Sequence, residues 1–168
     1  MSLATTLAQY LQQNHINYQL HPHPQTQSAI QTAIAARVPL AQLAKAVLLE
    51  SPQHTYLMAV LPALARVHIE LLEALMETPF HLVPERRLQS YFHDCLPGAI
   101  PALGAAYTIQ LIYDDMLLQQ PTIYIEAGDH ESLVCITNDQ FQQLMKGQMH
   151  DHICQQSSSL VMISHNFL

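Results

Sequence analysis

Positive charge is scarce in this chain. Lys and Arg number 6 in 168 residues against 13 Asp and Glu, for a net charge of −7 with histidine neutral, and the only lysines are Lys45 and Lys146. That balance excludes a long basic groove and tight nucleic-acid capture driven by phosphate neutralisation. It leaves open the recognition of one nucleotide or of an RNA end. Cysteine is scarce too. Cys95, Cys135 and Cys154 cannot form a complete disulfide framework, and with no signal-peptide pattern at the N-terminus a reducing cytoplasm is the expected compartment. No apolar run approaches the ~18–20 residues that span a bilayer, so a soluble protein with no membrane partner is expected. The Gly-x-Ser-x-Gly elbow and the Gly-rich P-loop are both missing. Cys95 has no Lys or Arg beside it in sequence to lower its pKa, so it reads as an inert thiol.

Hydrophobic residues make up 49% of the chain, ample for a core, and the length suits one domain. Leu3, Leu7, Tyr10 and Leu11 recur at helical spacing, with Ser2 as a cap, and predict a helix to about Asn14. Ile16, Tyr18 and Leu20 alternate as in a short strand. Ala29, Ile30, Ala33 and Ile34 mark a second helix, capped by Thr26 or Ser28. Lys45 opens an apolar strand, Ser51 to His54 turns, and Tyr56 to Leu61 returns as its hairpin partner. Helices are expected around Ile69 to Met76 and from Pro84, the latter carrying Leu88, Tyr91 and Phe92. Thr108 to Tyr113, Thr122 to Ala127 and Leu133 to Thr137 read as strands. Asp114 or Asp115 caps a short helical turn, and Asn138 caps a final helix bearing Phe141, Leu144 and Met145. The predicted class is α+β, a sheet with surrounding helices. A domain over 1–146 is followed by a less regular tail, 147–168, in which Leu160 to Ile163 reads as an added strand or an ordered packing segment.

The stiffest stretch is Asp94 to Gly104. Pro97, Gly98, Pro101 and Gly104 shape its backbone, so it presents N–H and C=O groups rather than reactive side chains. It reads either as a structural connection or as a main-chain clamp for an anion or carbonyl. Lys45 heads an apolar strand, so its ammonium either snorkels to water or directs fixed charge into a pocket. Gly128-Asp129-His130 serves as a hairpin turn, or brings His130 to a pocket. His21-x-His23 and His150-x-His152-x-Cys154 offer a zinc reading, but structural zinc sites carry tighter, Cys-richer signatures, and no metal site is assigned.

Leu43-Ala44-Lys45-Ala46-Val47, Ala59 to Ala63, Asp94 to Pro101 and Glu126-Ala127-Gly128-Asp129-His130 follow one another at intervals that resemble the YbaK/EbsC family. These are free-standing relatives of the editing domain inserted in bacterial prolyl-tRNA synthetases. The resemblance covers roughly residues 3–146. It implies an α+β domain around a mostly antiparallel, partly barrel-like sheet, and an aminoacyl-tRNA deacylase that hydrolyses the ester of mischarged tRNA in trans. It implies no metal or organic cofactor, the 3′ end of aminoacyl-tRNA as partner with a synthetase as a further one, and no DNA. By the same resemblance Lys45 contacts the 3′-terminal nucleotide. The backbone of Gly98, Ala99, Ile100, Pro101 and Ala102 holds the aminoacyl carbonyl and the water, Gly128 and His130 face the same pocket, and Thr26 is a hydroxyl residue near it. The mechanism implied is substrate-assisted, a ribose hydroxyl helping to activate water. Many members carry Pro where this chain has Ala102, with its own proline one place earlier at Pro101. The alternative is a non-catalytic module that binds a nucleotide or aminoacyl ligand in the same pocket.

Overall fold

A computed structural model describes residues 3–155. Helix α1 (Thr5–Gln13) buries Leu7 and Leu11 on one face. Edge strand β1 (Gln19–Pro22) follows, three residues later than the alternation at Ile16 predicts. Ile16 is buried in the core instead, and Pro22 is tolerated because the strand lies at an edge. Helix α2 (Ala29–Ala36) is capped by Ser28, whose side chain accepts from the Gln31 amide, and ends at Arg37 in the left-handed conformation. Strands β2 (Leu43–Glu50) and β3 (Tyr56–Pro62) form the expected antiparallel hairpin.

Helix α3 (Ile69–Met76) precedes a two-residue strand, β4 (His81–Leu82), which pairs with β2. The helix predicted from Pro84 is a single turn, α4 (Glu85–Leu88); Tyr91 and Phe92 lie beyond it, and Phe92 is buried. That turn is fixed by buried Glu50, which takes both guanidinium nitrogens of Arg87 (2.7 and 3.1 Å), His54 Nδ1 (2.8 Å) and the Tyr56 hydroxyl (3.0 Å). These bonds, Arg87 first, hold the Glu50 carboxyl well below the usual carboxylate range.

Strand β5 (Gln110–Asp114) leads into a short 3₁₀ turn, then β6 (Thr122–Glu126), β7 (Ser132–Thr137), helix α5 (Asn138–Leu144) and β8 (Met149–Asp151). Asp114 caps the 3₁₀ turn as predicted. The α5 cap is Thr137, not Asn138: Thr137 and Gln140 form a capping box. Asn138 instead donates to the Leu117 and Gln120 carbonyls.

All eight strands join one sheet, ordered β1-β7-β6-β2-β3-β5-β8 with β4 beside β2. The β1/β7, β6/β7, β2/β3 and β2/β4 pairs are antiparallel. The β2/β6, β3/β5 and β5/β8 pairs are parallel. The sheet is mixed and, among the described residues, does not close into a barrel, since β1 and β8 end the strand order.

Alternation along each strand sends one set of side chains to each face. Ala44, Leu48, Met58, Val60, Ile123 and Ile125 pack with α1 and α5. On the opposite face two smaller clusters form. Leu43, Ala63 and Leu133 lie with Ala33 and Ala36 of α2, and Leu49, Leu57 and Leu61 lie with Leu72 of α3. Beyond α5 the chain docks through fully buried Asp114, whose Oδ2 accepts the Ile153 and Cys154 amides at 2.8 and 3.1 Å. Residues 157–163 lie outside the described residues.

Helix α1 has no side-chain cap of its own. Asp94 supplies one from the Pro/Gly loop, accepting the Thr6 amide at 2.8 Å through Oδ2. Burial opposes its ionisation, but this bond and those from Tyr107 and Cys95 hold its pKa below the ordinary value. We expect Asp94→Ala to lower stability by about 1–2 kcal/mol, the cost of a lost helix cap, measured by urea unfolding.

Candidate functional site

The parallel pairing of β2 with β6 is short: Leu43 lies opposite Tyr124 and Ala44 opposite Ile125, and there it stops. The next residue on each strand is charged, Lys45 on β2 and Glu126 on β6. By alternation both lie on the face that carries the α2 and α3 clusters. A cavity of about 170 Å³ sits there, lined by Lys45, Ala46, Glu126, His130, Gly98, Ile100 and the start of α2 at Gln27, Ser28 and Ala29.

The floor and wall of this cavity are laced together. The Leu96 amide donates to the Gly128 carbonyl and the Ala4 amide to the Ala127 carbonyl, each at 2.8 Å. His130 makes a short hydrogen bond to the Pro97 carbonyl, so its Nε2 carries the proton. Two glycines permit the close approach. Gly98 has φ +83°, and a Cβ there would lie 3.2 Å from Glu85 Oε1 and 3.4 Å from His130 Cε1. Gly128 has φ +109°, and its Cβ would meet Ala4 Cβ at 2.9 Å and Cys95 Sγ at 3.3 Å.

The residues singled out in the sequence do not all reach the cavity. Lys45, Gly98, Ile100 and His130 line the cavity. Ala99, Pro101 and Ala102 are buried behind it in the same loop, and Gly128 lies beneath the loop against Cys95. Thr26 stands one step away. Its hydroxyl is 2.6 Å from that of Thr32, which in turn lies 3.2 Å from Glu126 Oε1. Lys45 Nζ donates to the Ala63 carbonyl at 3.2 Å, and burial lowers its pKa. Cys95 contacts the Tyr107 hydroxyl at 3.3 Å, and burial pushes its thiol up to about 11, which suits an inert side chain. The histidine pairs do not gather into a metal site. His21 Nε2 is bonded to the Ala36 carbonyl and His150 Nδ1 to Asp115, and among the described residues no group of three or more His, Cys, Asp or Glu is placed to hold a metal.

Glu126 escapes a reading of the sequence. It is 7% exposed, its Oε2 has no hydrogen-bond partner in the protein, and burial pushes its carboxyl up to about 7. A signal existed, since it ends an apolar strand as Lys45 opens one. Acidic residues are too common in this chain for one of them to stand out.

The model of the aminoacyl-tRNA editing domain family matches residues 23–144. The chain belongs to that family. The matched span of this editing domain contains the whole cavity lining. A candidate trans-editing enzyme for prolyl tRNA synthetase shares the fold with TM-score 0.77 at 16% identity, covering 93% of this chain and 99% of that one. The hypothetical protein APE2540 is equally similar, with TM-score 0.77 and 16% identity over 89% of this chain and 99% of that one. A candidate signal transduction protein from Marinobacter aquaeolei VT8 has TM-score 0.75 and 15% identity; the match covers 92% of this chain but 31% of that longer one. No curated protein matches in sequence. Among the described residues no helix is long and apolar enough to cross a membrane.

The buried carboxyl makes stability pH-dependent. The folded state holds the Glu126 proton more tightly than an unfolded chain, whose carboxyl titrates near 4.5. Stability is therefore lost as pH rises from that value through about 7. The loss is on the order of 2–3 kcal/mol. Glu126→Gln removes the titration, so its stability relative to the wild type should increase between pH 5 and pH 8 in thermal unfolding; an advantage that stays constant contradicts the assignment.

Proposed function

We propose that this editing domain hydrolyses the ester of mischarged aminoacyl-tRNA in trans, with Lys45, the 98–102 backbone and His130 forming the site. The observation that carries this reading is that Lys45, Gly98, Ile100 and His130 line one and the same cavity, within the span that matches the family. An aminoacyl ester is already activated. Its cleavage needs positioning and polarisation of the carbonyl more than a side-chain nucleophile, which suits a cavity lined by no cysteine.

Each part has a role that follows from its chemistry. Lys45 and the N-terminal end of α2 provide positive potential for the terminal phosphate. In the Gly98–Ala102 stretch the Gly98 and Ile100 amides, at the cavity, face the aminoacyl carbonyl as its oxygen gains charge, while Ala99 donates to the Leu96 carbonyl and Pro101 has no N–H. His130 anchors that stretch at Pro97 and so acts as a positioning residue. A ribose hydroxyl of the terminal adenosine activates the water, so the ester itself supplies the group that the site needs. The fit is to the acceptor end alone, since a net charge of −7 opposes contact along the tRNA body.

A deacylation panel across mischarged tRNAs tests the reading. We expect hydrolysis of at least one, and about 100-fold slower turnover by Lys45→Ala with unchanged thermal unfolding. Unchanged turnover removes Lys45 from the mechanism. Binding to whole tRNA should be weak, with Kd about micromolar or higher and rising with salt; tight, salt-resistant binding in a gel-shift titration contradicts end-only recognition.

A further inference from the structure

The deacylase reading leaves Glu126 without a task, yet its position is costly. A carboxyl 7% exposed is held at Oε1 by Thr32, while Oε2 is unpartnered, and a half-satisfied buried acid destabilises the fold. The other ionisable groups acting on it are His130 and Asp129. Asp129 is engaged by the Glu131 and Ser132 amides and the Ser132 hydroxyl. Lys45, at the same step on the neighbouring strand, sends its ammonium to the Ala63 carbonyl rather than to Glu126. An amine and a carboxyl thus line one cavity, the amine held at the Ala63 carbonyl and the carboxyl with Oε2 unpartnered, an arrangement suited to a ligand that carries both charges. The 3′-terminal aminoacyl nucleotide is such a ligand, with an anionic phosphate at one end and an α-ammonium beside the scissile carbonyl at the other.

Resting on the deacylase reading, we infer that Glu126 receives the protonated α-amine of the aminoacyl group, so that the site accepts amino acids with a free amine and rejects those whose amine is acylated. Glu126 is the only carboxyl among the cavity-lining residues. Thr32 and, behind it, Thr26 fix the Oε1 side through their hydroxyls, leaving Oε2 as the acceptor that the ligand satisfies. The burial that makes the empty carboxyl hold its proton also makes an arriving ammonium a strong partner, because charge pairing strengthens as water is excluded.

The test uses the full chain and an aminoacyl-tRNA from the panel that the wild type hydrolyses, prepared with a free amine and as its N-acetyl derivative. We expect the wild type to prefer the free amine by about tenfold or more in kcat/KM, and Glu126→Gln to reduce that preference to within about twofold, mainly by raising KM for the free-amine substrate. Glu126→Asp should keep the preference in the same direction. Thermal unfolding of both variants separates lost recognition from lost fold. Equal hydrolysis of the two substrates by the wild type overturns the inference without any variant. So does an undiminished preference in Glu126→Gln, or an equal fall in kcat on both substrates, the mark of a general base. A wild-type protein that hydrolyses no aminoacyl-tRNA overturns the deacylase reading itself, a distinct result.

Discussion

The site exists because two parallel strands part after two residue pairs. Leu43 and Ala44 on β2 meet Tyr124 and Ile125 on β6. Beyond them β2 continues its antiparallel ladder with β3, and β6 hands the chain to the turn at Gly128. A continued ladder would bring Lys45 and Glu126 into a fully packed sheet, where each charge would need a partner at close range. The parting supplies a half-buried space instead. The start of α2 and the Pro/Gly loop line it.

The loop is held by its ends as much as by its own stiffness. Asp94 caps α1, Leu96 bonds to Gly128, and His130 reaches Pro97. Each tie joins the loop to a segment distant in sequence, so the contour of Gly98 and Ile100 is set by α1 and the β6–β7 turn together. The glycines matter here for different reasons. A Cβ at Gly128 would clash with Ala4 and crowd Cys95, whereas Gly98 holds a φ of +83° that side-chained residues rarely adopt.

Much of this was legible in the sequence. The β2/β3 hairpin, the helices around 29–36 and 69–76, and the strands on either side of Gly128 all follow from apolar period and turn residues. The misplacements share a cause, which is that tertiary partners overrode local preference. Tyr18 and Leu20 remain exposed while Ile16 turns into the core, so the alternation there reports no buried strand face. Asn138 looks like a cap, but its amide is used to tie the preceding loop, and Thr137 takes the capping role. Strand β4 is too short to leave a periodic signal; it forms because Val83 is buried and β2 offers an open edge.

Periodicity and composition pointed on their own to an α+β domain with a scarce lysine at Lys45 and one stiff loop, and the resemblance carried by the ordered motifs pointed to an editing domain. Both properties reside in residue type and local backbone preference, which a linear sequence carries. Tertiary structure alone decided that Glu126 joins Lys45 across a strand gap and that Thr26 reaches the cavity only through Thr32. It also decided that Ala99, Pro101 and Ala102 are buried without lining the cavity. Those outcomes depend on register between strands some 80 positions apart, such as Leu43 with Tyr124, and on which side of the sheet each residue is sent. Single-residue preferences are blind to both.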